Sequence, residues 1–371
     1  MPSLKKKFYQ VKVKSLRITS LKELGQLMGQ LQWQAFRKAY GKIWDLAMVE
    51  VSTEAIASLA QYYDQPLRCF TFGDFQLSPM VEEFEEILGC PLGGRRPYLF
   101  SGFYPSLARI YKIVQISAQE LDHRKQVENG VVGIPRKYLE EKARILAGKG
   151  EWAPFIDILA LLIFGGVLFL NVDGLVDLAA IDAFLVYHDH KESPVVAMLA
   201  NLYDTFDRSS LCLVGFAPFS SRIKACLPAR SHCSCTDKGG ANWDQLLANK
   251  EGASINWFPR RKEGRIRVLI SCGGFPNVPL MGTRGCISYN LVLAIRQLGY
   301  PMRGPPLEEE IAPVISRGFN KTNVETLQKV RKAWEVVRKK DKELRGSNNG
   351  LIGGYRKWLR AHMQGWIGSQ V

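Results

Sequence analysis

Residues 158–170 read ILALLIFGGVLFL, thirteen positions without a single charge. A helix that crosses a bilayer needs about 20 such residues, so this run is too short to span and suits the central helix of a soluble core. A helix apolar around its whole circumference must be covered on every side, which commits the chain to a layered helical body. Asp157 precedes the run and Asn171, Asp173 and Gly174 stop it; a second apolar segment, residues 175–187, follows with Asp177 and Asp182 inside it. Together they predict a buried helical hairpin. At 371 residues with 46% apolar composition, the chain can supply the covering layers, as one large domain or about two average ones.

Start and stop signals mark further helices. Ser20 and Glu23 have capping-box spacing ahead of Leu21, Leu24 and Met28 at helical intervals. Ile56, Leu59, Ala60 and Tyr63 form a second face, closed by Pro66. Ser78-Pro79 reads as an N-cap and first helical position, followed by the stripe Val81, Phe84, Leu88 and the stop Gly89 and Pro91. Asn290 is placed to cap a helix over 291–298. Thr322 and Glu325 form another capping box, opening a helix with Leu327, Val330, Trp334 and Val337 on one side and Lys329, Lys332, Lys339 and Lys340 on the other.

Strand signals are few. Residues 69–77 read as a short β-hairpin turning at Gly73-Asp74, and residues 265–270 (RIRVLI) as a lone strand. Residues 226–265 and 300–320 read as long irregular loops and 344–354 as a flexible joint. The expectation is a mainly α chain: a basic arm over 1–17, one large helical body over 18–313 and a basic helical segment over 314–371.

Location gives the net charge of +15 its meaning. Residues 1–17 hold six Lys or Arg and no acid, residues 314–371 hold thirteen against four acids, and the stretch between is close to neutral. Basic ends on a neutral body attract polyanions through counterion release, without base preference. The first residues contain no apolar stretch of the secretory type, so the expected compartment is intracellular, and the short basic runs at 5–7 and 338–342 point to the nucleus. The eight cysteines then read as mostly buried thiols.

Motifs for catalysis are weak. Residues 271–285 are rich in glycine but lack phosphate-loop spacing, and their prolines remove amides that a phosphate would need, so they read as an irregular structural loop with Arg284 in an internal ion pair. Cys226, Cys233 and Cys235 lack the second pair of a zinc site, and His188 and His190 read as exposed loop residues. The acids Asp74, Glu82, Glu83, Glu85 and Glu86 read as a solvated helix face rather than a metal centre. Neither a nucleophile motif nor a cofactor site is expected.

Nucleic-acid signals are stronger. Trp257 leads into Arg260, Arg261 and Lys262, interleaving a stacking surface with phosphate-seeking charge. Lys5, Lys6 and Lys7 at one end and Lys339 and Lys340 at the other complete the candidate contacts for DNA or RNA. The stripe Leu327, Val330, Trp334 and Val337 is the candidate surface for a protein partner, with docking on the chain's own body as the alternative.

Residues 68–92 (RCFTFGDFQLSPMVEEFEEILGCPL) resemble the segment by which the plant mobile domain family is known, where a TF hairpin leads into an LLGLP helix end. The similarity extends to a transposon-associated plant branch of that group through 157–164 (DILALLIF), 271–280 (SCGGFPNVPL), 282–286 (GTRGC) and 296–302 (RQLGYPM). The resemblance implies a mostly helical domain of mobile-element origin, with host relatives tied to silencing and genome stability. The label aminotransferase-like travels with the family, but no cofactor-lysine context supports a pyridoxal site here. The expected function is a non-catalytic nuclear module that binds nucleic acid or chromatin proteins. The alternatives are a pure protein scaffold and a component of transposition machinery.

Overall fold

The computed structural model describes residues 17–49, 53–92, 95–104, 107–207, 240–249, 251–252, 267–298, 300, 304–311, 316–319, 323–340 and 353–369. The described residues begin with helices α1 (Thr19–Gln26), α2 (Gln30–Tyr40), α3 (Ile43–Ala47) and α4 (Thr53–Ala60). Strands β1 (Tyr63–Asp64), β2 (Cys69–Thr71) and β3 (Gln76–Leu77) form an antiparallel sheet, so the expected hairpin is present with a third strand added on its outer side. Helix α5 (Val81–Leu88) follows and ends on Gly89 in the left-handed region at φ 65°, the stop expected there.

Next come α6 (Leu107–Val114), α7 (Ala118–Arg124), β4 (Gln126–Glu128), β5 (Val131–Pro135), α8 (Arg136–Lys149) and α9 (Trp152–Ile163). The uncharged run of the sequence forms the second half of α9 and a π-helical turn, Phe164–Leu168, all of it buried. Helices α2, α3, α6 and α8 pack around α9, the enclosure that its composition demands. The π turn continues into β6 (Leu175–Asp177), which closes a sheet with β5 and β4, and then α10 (Leu178–His190). The expected hairpin therefore has a strand in its connection. A Cβ on Gly165 would lie 2.6 Å from a Val176 methyl, so glycine is what lets the π turn lie on β6.

Helices α11 (Val195–Asp207) and α12 (Gly240–Ala248) precede a second β-rich region, β7 (Val268–Ser271), β8 (Val278–Met281) and β9 (Gly285–Tyr289). Residues 278–289 thus form an antiparallel hairpin rather than an irregular loop. Pro279 is tolerated because β8 is the edge of its sheet. Helix α13 (Leu291–Ala294) starts where Asn290 accepts the Val292 amide, the expected cap. The chain ends with α14 (Glu308–Ile311), β10 (Ser316–Arg317) beside β9, α15 (Val324–Glu335), β11 (Arg338–Lys340) and α16 (Gly353–Ser369). Strand β11 pairs with β7, so residues 265–270 do not supply a lone strand.

The C-terminal segment is stitched into the body. It adds β10 and β11 to two sheets, buries Trp334 in the main core and docks Tyr355 and Leu359 of α16 on Leu67 and Cys69.

Two predicted caps are displaced. Ser20 lies inside α1, where its hydroxyl donates to Glu140 and accepts from Arg136, both buried. Ser78 lies ahead of α5, where its amide donates to Gln297 and its hydroxyl meets Tyr203 at 2.8 Å. In each case a buried tertiary partner claims the hydroxyl, so the local cap is not made.

Candidate functional site

Helix α16 presents two unlike faces. Its inner face holds Tyr355 and Leu359, both buried, and half-buried His362. His362 Nε2 lies 2.6 Å from Asp64 Oδ2 on β1, and Asp64 is wholly buried. The same carboxylate accepts the Thr71 hydroxyl at 3.3 Å and the Leu67 amide at 3.3 Å. Tyr355 donates to Gln76, whose amide donates to Thr71 at 3.2 Å. Trp358 stacks on His362 with ring centroids 5.2 Å apart. This network fixes the helix by its inner side. On the outer side Arg356, Lys357 and Arg360 are exposed, and none of them forms an ion pair among the described residues. Spaced at i, i+1 and i+4, they project from one stretch of helix as a small cationic surface.

The stripe Leu327, Val330 and Trp334 is buried in the chain's own core, with Val337 packed at its margin. Trp334 Nε1 donates to the Pro279 carbonyl at 2.7 Å, which uses the outward-facing edge of β8. Of the two readings of this stripe, a partner surface and docking on the chain's own body, the contacts are those of the second. Lys339 also departs from expectation. It sits in β11, not on a helix, and its ammonium lies 3.1 Å from Glu85 with both side chains about nine-tenths covered. Lys340, next on the strand, is half-buried. Lys5, Lys6, Lys7, Trp257, Arg260, Arg261 and Lys262 lie outside the described residues, as do Cys226, Cys233 and Cys235.

The acidic patch is only partly a solvated face: Asp74 and Glu86 are exposed. Glu82 and Glu83 are buried, and Glu82 accepts the Leu269 amide of β7 at 2.7 Å. Burial pushes the Glu82 carboxyl up to about 7, partly offset by that amide. Strand β7 has a backbone donor to satisfy, and the helix supplies a carboxylate where an apolar side chain would leave the amide stranded. His188 and His190 are on α10 rather than a loop; His188 Nδ1 lies 2.8 Å from Asp189, which also pairs with Arg109.

The strongly perturbed groups brace one element against another. Tyr40 donates to Asp157 at 2.6 Å, Tyr98 to Asp182 at 2.7 Å and Tyr63 to Asp207 at 2.9 Å. Burial, reinforced by those carboxylates, drives each phenol far above its usual range. Cys69, Cys90, Cys272 and Cys286 are buried free thiols, and burial raises all four, Cys272 and Cys286 to about 12. A thiol held protonated in this way is a packing residue, not a nucleophile. Among the described residues no three His, Cys, Asp or Glu side chains gather as a metal site would require, and no helix is long and apolar enough to cross a membrane.

The family described as a domain of unknown function, DUF7745, matches residues 21–364. The chain belongs to this family. No curated protein and no solved structure matches it. The DUF7745 match runs from α1 to α16 and takes in Trp334, Tyr355 and His362, the residues by which the C-terminal segment is fastened. Asp64 and His362 stand 298 positions apart, and neither belongs to a local motif. Residues 356–360 read RKWLR, which sets Arg356 and Arg360 one helical turn apart on the side away from Leu359.

Proposed function

We propose that the protein is a non-catalytic nuclear module of plant-mobile-domain type and mobile-element origin, which binds nucleic acid through basic elements held on a rigid helical body. The observation that carries this reading is α16: its inner face is moored by Asp64 and Gln76, and its outer face offers Arg356, Lys357 and Arg360 to solvent. A cationic surface on a fixed helix suits the phosphate backbone, which is contacted by charge and position rather than by base edges. The six basic residues of positions 1–17 add a second source of the same attraction. The string resemblance at residues 68–92 supports the mobile-element origin, and the basic runs support the nucleus.

The test is fluorescence anisotropy of the full chain with labelled duplex DNA, single-stranded DNA and RNA across a salt series. Saturable binding that weakens steeply with salt supports the reading. Absence of binding at about 0.15 M salt refutes it.

A further inference from the structure

A cavity of about 430 Å³ opens where the loop around residues 100–104, the β4–β5 turn, Asn171 ahead of β6, the start of α10, the β8–β9 turn and the residues after β10 converge. Its volume lies within the range of small-molecule sites. One wall is aromatic: Phe100 and Phe319 have ring centroids 4.5 Å apart, and Tyr104 follows at 5.0 Å from Phe100. The polar lining residues are braced. Asp177 Oδ1 accepts the Ala180 amide at 2.7 Å and Oδ2 accepts the Asn171 amide at 3.2 Å. The Thr283 hydroxyl accepts from Asn201 at 2.7 Å, and Arg284 donates to the Leu170 carbonyl at 2.9 Å.

These features exclude several occupants by chemistry. An anion would face the Asp177 carboxylate, which already caps α10 and so closes that helix end to it. A cation would face Arg284, whose charge is felt at Asp177. Beside these bonds the Asp177 carboxylate keeps further acceptor capacity and the Thr283 hydroxyl its proton, which a purely hydrocarbon ligand would cover without using. What remains is a flat, uncharged ring system with hydrogen-bond donors and acceptors on its edge. We infer that the cavity is a nucleobase-binding site, with the ring against Tyr104 and Phe319, which buried Phe100 backs, and its edge read by Asp177 and Thr283. The base comes either from a free nucleoside or from an unstacked residue of a single strand whose phosphates stay outside the cavity; only the second source rests on the nucleic-acid reading above.

The test uses the full chain with adenosine, guanosine, cytidine and uridine as probes, followed by saturation-transfer NMR and calorimetry. At least one nucleoside is expected to saturate with a Kd between about 10 μM and 1 mM. Val131→Trp, which places an indole in the cavity from β5, should weaken it at least about tenfold while the circular dichroism stays native. If that variant does not fold, Tyr104→Ala, at a half-exposed position, should weaken binding several-fold in its place. A single strand with one abasic position, compared with its intact parent, separates the sources: a lower affinity for the abasic strand assigns the polymer, and equal affinities assign the free nucleoside. The proposal is overturned if no nucleoside saturates up to about 5 mM, or if a folded Val131→Trp binds as tightly as the parent. Either result leaves the salt-dependent binding through α16 to be judged on its own data.

Discussion

Trp334→Ala should unfold a large part of this protein's stability margin. The indole is 5% exposed in the main core, and its Nε1 holds the Pro279 carbonyl at 2.7 Å. Truncating a buried aromatic to alanine costs about 3–5 kcal/mol, and leaving a buried carbonyl without its donor adds about 1–3 kcal/mol. Against a total stability of about 5–15 kcal/mol, a loss of about 4 kcal/mol or more would be severe. Trp334→Phe keeps most of the packing and removes the donor alone, so about 1–3 kcal/mol is expected. Urea titrations followed by circular dichroism at two protein concentrations would measure both variants. The reasoning is refuted if Trp334→Ala changes stability by less than about 0.5 kcal/mol, or if its effect appears only as lost self-association, which would return the stripe to a partner surface.

Three further outcomes follow from the same contacts. His362→Ala removes the partner 2.6 Å from buried Asp64, and hydrogen exchange should quicken across α16 while α9 keeps its protection; uniform quickening would contradict the mooring. Glu82 titrates in the folded chain near 7 and in the unfolded chain near 4.3, so the folded state holds its proton across that interval. Stability from this group should therefore fall by up to about 3 kcal/mol as pH rises from about 4 to about 7, and Glu82→Gln should flatten that slope; an unchanged slope would count against the burial. Gly273 has φ 58°, and a Cβ there would lie 2.7 Å from the Ala333 methyl, so Gly273→Ala should cost about 2 kcal/mol or more in thermal or urea melts, whereas Gly274→Ala, where a Cβ meets nothing, should cost far less. Equal costs at the two glycines would contradict the close approach of α15.

The elements legible in the sequence were those whose signal is local. The run at 158–170, the hairpin at 69–77, the Gly89 stop and the Asn290 cap depend on a few neighbouring residues, and each is present. The strands around Pro279 were hidden because glycine and proline read as loop, and only the edge position in the sheet makes a proline acceptable there. Glu82, Ser20 and Ser78 were misplaced for one shared reason: a distant backbone or side-chain partner outcompeted the local role their spacing suggested. The site followed the same rule. Arg356, Lys357 and Arg360 were not among the expected contacts, because the mooring of their helix through Asp64 and the convergence of six separated segments on the cavity are products of tertiary closure.

The central claim is that α16 presents a fixed cationic face to phosphate. Its most direct test is the salt dependence of duplex DNA binding by the full chain and by the triple variant Arg356→Gln, Lys357→Gln and Arg360→Gln. If these three residues each neutralise a phosphate, the slope of log K against log salt should become shallower by about 2–3, with the fold unchanged by circular dichroism. A variant that binds with the parent's slope and affinity would contradict the account.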